Sequence, residues 1–95
     1  MNDRNVDVFR IGSLIAQLEL SFMFPSAVGS TSAVVFEALN AQATKMGLSL
    51  PDFDEIAKDP KPCGKEIERQ TLTRYPECSG VKQLGAKAVY SAHGN

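Results

Sequence analysis

The stretch VDVFRIGSLIAQLELSFMF, residues 6–24, decides the fold. Val8, Ile11, Ile15, Leu18 and Phe22 recur at three- and four-residue intervals, the spacing of one face of an α-helix. Asn5 or Asp3 stands ready as the N-cap and Pro25 ends the segment. A second apolar strip, Phe9, Ala16, Leu20 and Met23, lies beside the first, with Glu19 between the two. Only Arg10, Ser13, Gln17 and Ser21 form a polar stripe. A helix apolar over more than half its circumference must be covered from several sides.

Working outward, the next periodic segment starts at Thr31 or Ser32 and runs to Met46, with Gly47 placed as a left-handed C-terminal residue. Val35, Phe36, Leu39, Ala43 and Met46 share one face, and Glu37, Asn40 and Thr44 share the opposite one. The short Ser- and Gly-rich connection implies an antiparallel pair, 6–24 with 32–46. Beyond it the pattern predicts a short helix from Asp52 to Lys58, acidic in its first turn where the helix dipole favours negative charge. A further helix is expected from Pro62 to Tyr75, burying Ile67, Thr71, Leu72 and Tyr75 and stopped by Pro76. The last has an inner stripe of Val81, Leu84, Gly85, Ala88 and Ala92. The expected architecture is all-α: one small domain, residues 1–95, of about five helices.

Composition narrows function. The formal net charge is −1, with 10 Lys and Arg against 11 Asp and Glu, so nothing favours nucleic acid or anionic lipid as a partner. Seven of these charges precede Leu48 and fourteen follow it, which makes the N-terminal half the apolar one. Ile11 to Phe24 is interrupted by Ser13, Gln17, Glu19 and Ser21 and is too short to span a membrane. Asp3 and Asp7 balance Arg4 and Arg10, so the N-terminus lacks the positive excess of a secretory signal. The expected location is the cytoplasm.

Chemical motifs are sparse. His93 is the sole histidine, close to a terminus where chains fray and a catalytic base is poorly held. Two cysteines and one such histidine cannot build a tetrahedral zinc site. The acidic run Asp52, Asp54, Glu55 and Asp59 lacks the glycine and terminal Glu of a calcium loop. No glycine cluster forms a phosphate cradle. No catalytic residue, cofactor or metal is therefore expected, and an enzyme is the least favoured class.

Two alternatives have specific residues behind them. Ala43, Gly47, Leu48, Phe53 and Ile56 approach helix-turn-helix spacing, but the would-be recognition helix is acidic and would repel phosphate. Cys63 and Cys78 flank prolines, as in an exported protein closed by a disulfide. If 62–75 is helical, however, residues 63 and 75 stand about 18 Å apart. The three remaining residues recover only about 10 Å. A disulfide needs Cα atoms within about 7 Å, so the helix excludes it.

What stays open is the doubly apolar first helix: either the whole chain wraps around it, or one strip is covered by another copy or by a different protein. Large contiguous apolar patches mark interfaces. The expectation is a small non-enzymatic protein–protein interaction module, a homodimer that binds and modulates another protein. An anti-activator sequestering a transcription regulator, or a chaperone- or immunity-type inhibitor, would suit such a chain. Its interface is placed on Phe9, Ala16, Glu19, Leu20 and Met23.

Overall fold

The computed structural model describes residues 3–23 and 32–93. These form five α-helices: α1 (Asp3–Met23), α2 (Ser32–Met46), α3 (Phe53–Lys58), α4 (Lys61–Arg74) and α5 (Val81–His93). A 3-10 turn, Pro76–Cys78, joins the last two, and no strand occurs among the described residues.

The main stripe of α1 makes the core. Val8, Ile11, Ile15 and Leu18 are buried with Val35, Leu39, Ala43 and Met46 of α2, Ile56 of α3, and Cys63 and Ile67 of α4. Phe22 is half-buried and meets Phe53, which in turn meets Phe36 edge-on with ring centroids 5.3 Å apart. α1 and α2 run antiparallel, as their ends show. At one end Gln42 donates to the Asp7 carbonyl and Lys45 bonds the Asp7 carboxylate at 3.1 Å. At the other, the Ser21 and Ser32 hydroxyls pair at 2.9 Å.

The local stops follow residue chemistry. Gly47 takes φ +75°, which lets Leu48 N–H donate to Ala43 at 2.8 Å and Gly47 N–H to Thr44 at 3.1 Å, a Schellman ending. α3 starts one residue later than the sequence pattern suggests. Asp52 caps it from outside, its carboxylate accepting from Glu55 N–H at 3.1 Å. α4 closes at Arg74 before Pro76, and the Tyr75 hydroxyl donates to the Met46 carbonyl. Arg4 ties the start of α1 to this corner: it pairs with Glu77, donates to the Arg74 carbonyl, and lies over the Tyr75 ring.

Two expected buried faces differ. On α4, Thr71 takes the inward position, its hydroxyl satisfied by the Ile67 carbonyl at 2.6 Å, and Leu72 faces outward at 48% exposure. On α5 the inner face is Gly85 and Val89, with Ala86 half-buried; Leu84, Ala88 and Ala92 point to solvent. The rotation has a steric cause. At Gly12 an added Cβ would lie 2.1 Å from the Lys82 carbonyl oxygen, and at Gly85 one would lie 2.0 Å from that of Phe9. The two backbones touch through paired glycines, and only the Gly85 face of α5 permits it.

α5 runs in the same direction as α1. Gly12 meets Lys82, Ser13 donates to the Gly85 carbonyl at 3.1 Å, and Ala16 and Leu20 pack against Val89. α1 is thus covered on three sides: by the core beneath it, by α2, and by α5.

Candidate protein-docking surface

The five residues placed at an interface do not form one open face. Ala16 is 1% exposed and Leu20 7%, both closed beneath α5. They are unavailable to another molecule while α5 is docked, a correction to the sequence-based assignment. The strip was expected to be bare because two apolar strips exceed what a second helix and a charged C-terminal half, with small residues on the inner stripe of α5, easily cover. Their smallness is instead what lets α5 lie close enough to seal it.

Glu19 is half-buried and accepts a hydrogen bond from the Tyr90 hydroxyl at 2.8 Å. Burial and this carboxylate push the Tyr90 phenol up to about 12. Met23 is 61% exposed at the end of α1, away from the others. Phe9 is half-buried, with its backbone against Gly85.

Phe9 also borders a different feature, an open groove of about 680 Å³ between α1 and α2. Its floor is the polar stripe of α1 (Arg10, Ser13 and Gln17) together with Val6 and Leu14. The exposed Ala38 and Ala41 of α2 form the wall. Sequence reasoning placed none of these at an interface, because it looked for one among the apolar strips alone. The available signal was on α2, where Val34, Ala38 and Ala41 make an apolar strip at helical spacing beside the Glu37, Asn40 and Thr44 face.

The remaining sequence features are engaged in packing. Ala43, Leu48 and Ile56 are core residues, and Phe53 sits in the aromatic cluster. α3 spans six residues and presents Asp52, Asp54, Glu55 and Asp59 outward. Cys63 and Cys78 are buried free thiols. Burial, reinforced by the charge of Glu19, raises the Cys63 thiol to about 11. A thiolate is therefore scarce near neutral pH and the sulfur is shielded, so native protein should react with maleimide far more slowly than unfolded protein. Intact-mass kinetics with and without denaturant check this; rapid native labelling of Cys63 would contradict the packing. Among the described residues no helix is long and apolar enough to cross a membrane.

No family model, curated protein or solved structure matches this chain.

Proposed function

We propose that this chain is a non-enzymatic helical module that binds another protein, with the α1–α2 groove as its docking surface. One observation carries the reading. The core is closed and Ala16 and Leu20 of the second strip are sealed beneath α5, yet a 680 Å³ groove with apolar walls stays open beside Phe9 and Leu14. Concave, partly apolar surfaces of this kind suit the packing of a partner side chain or helix. Modulation of a bound protein, as by an anti-activator or an inhibitor that masks its target, requires no catalytic group. The cytoplasm remains the proposed site of action.

The test is Ala38→Arg combined with Ala41→Arg. Both positions are exposed, so the fold should change by no more than about 0.5 kcal/mol. Wild type is expected to dimerise, or to retain a partner from its native cell extract, and the double variant to lose this with unchanged circular dichroism. A monomeric wild type whose captured partner is retained by the double variant would refute the groove assignment.

A further inference from the structure

The contacts of the chain change partner on the two sides of one short connection. Before Ser79 the chain is tied to the main body. The Tyr75 hydroxyl donates to the Met46 carbonyl, Glu77 pairs with Arg4, and Cys78 is buried in the main core. After Gly80 the holding contacts pass to α1. Gly85 lies against the Phe9 carbonyl, Val89 packs on Ala16 and Leu20, and the Tyr90 hydroxyl donates to Glu19 at 2.8 Å. These apolar contacts form a cluster of their own, separate from the main core. Val81 rests on the main core and Gln83 donates to Glu68 at 2.6 Å, both at the start of α5.

Between the two sets stand Ser79 and Gly80, both exposed. Gly80 takes φ +88°, the left-handed region that glycine enters freely and other residues enter at a cost. Among the described residues an added Cβ at Gly80 meets nothing within 4 Å. The backbone angle, not packing, is therefore what asks for glycine there. Rotation at these two residues is enough to lift α5 from its seat while the body before them stays intact. A second copy of the chain offers an identical seat, with the same glycine contact, the same cluster and the same hydrogen bonds. The closed and exchanged forms then differ only in the hinge angle and in the entropy of joining two chains. Whatever disfavours φ +88° shifts the balance toward exchange, as strain in a short hinge does.

We infer that α5 is an exchangeable arm: it can take the same seat on a second copy of the chain, giving a domain-swapped dimer hinged at Ser79–Gly80, and glycine at position 80 keeps the arm on its own chain. Ala38 and Ala41 of the α1–α2 groove take no part in this seat. Light scattering on size-separated protein tests it across a concentration series. The samples are kept reduced and are warmed briefly so that arms can open. Gly80→Ala is expected to keep the wild-type circular dichroism and to raise the dimerisation constant at least about tenfold, because each dimer relieves two hinges. Three glycines inserted after position 80 in that variant should return it to the monomer, since a longer connection closes without a left-handed residue. Adding Leu20→Arg to Gly80→Ala should abolish the dimer, which needs the seat, whereas adding Ala38→Arg with Ala41→Arg should leave it. Wild-type association or an unfolded chain in Gly80→Ala would overturn the inference. So would a dimer that survives the insertion or Leu20→Arg. A dimer lost with Ala38→Arg and Ala41→Arg would also overturn it, while leaving the groove reading standing.

Discussion

Gly12→Ala is expected to cost about 3 kcal/mol or more, although alanine is the better helix former by about 1 kcal/mol. The new methyl would sit 2.1 Å from the Lys82 carbonyl oxygen and 2.8 Å from its carbon. Both are backbone atoms, so no rotamer change relieves the overlap and α5 must move away as a unit. For a domain of this size such a loss lowers the melting temperature by about 12–24 °C. Gly85→Ala should behave alike, since its methyl would lie 2.0 Å from the Phe9 carbonyl oxygen. The double substitution should cost much less than the sum, because both changes break one contact. Thermal melts of the two single variants and the double variant decide the matter. Wild-type stability in Gly12→Ala would mean that the helices do not approach this closely.

A second large effect separates the two apolar strips of α1. Leu18 is 2% exposed in the main core, and Leu18→Ala should destabilise the whole domain by about 2–5 kcal/mol. Leu20 is 7% exposed against Val89, in a smaller cluster that only α5 closes. Leu20→Arg loses the leucine burial, about 1.5–3 kcal/mol, and must also desolvate a guanidinium or expel α5. Expelling α5 is the cheaper course. Hydrogen exchange should therefore show α5 amides unprotected in Leu20→Arg while α2 and α4 stay protected, whereas Leu18→Ala weakens all three together. A Leu20→Arg protein with α5 still protected would restore the strip as a free surface.

The helices were legible wherever a buried face has an uninterrupted helical period and a chemical stop. In α2, Val35, Leu39, Ala43 and Met46 point inward and Glu37, Asn40 and Thr44 outward, as the spacing requires, and Gly47 ends the helix. α5 was legible as a helix but not in rotation. Its apolar residues fall on two faces, and hydrophobicity alone favours Leu84 over Gly85. The deciding interaction is backbone against backbone, which a glycine on one helix reveals only once its counterpart on the other is known. Gly12 and Gly85 are 73 positions apart, and nothing local links them. The burial of Ala16 and Leu20 was missed for the same reason. With the wrong face of α5 turned inward, Ala16 and Leu20 look uncovered. The groove over Arg10 and Gln17 goes unnoticed because its floor lies outside the apolar strips.

The pairing of the first helix with the last also shapes how the chain finds its fold. The Ser13–Gly85 hydrogen bond spans 72 positions, so docking α5 closes almost the longest loop available among the described helices. Loop-closure entropy must be overcome before such a contact contributes anything, whereas α1–α2 and α3–α4 contacts close far sooner. In any species in which α5 has not docked, Ala16 and Leu20 would lie bare, so the Gly12–Gly85 contact also withdraws an apolar surface from solvent.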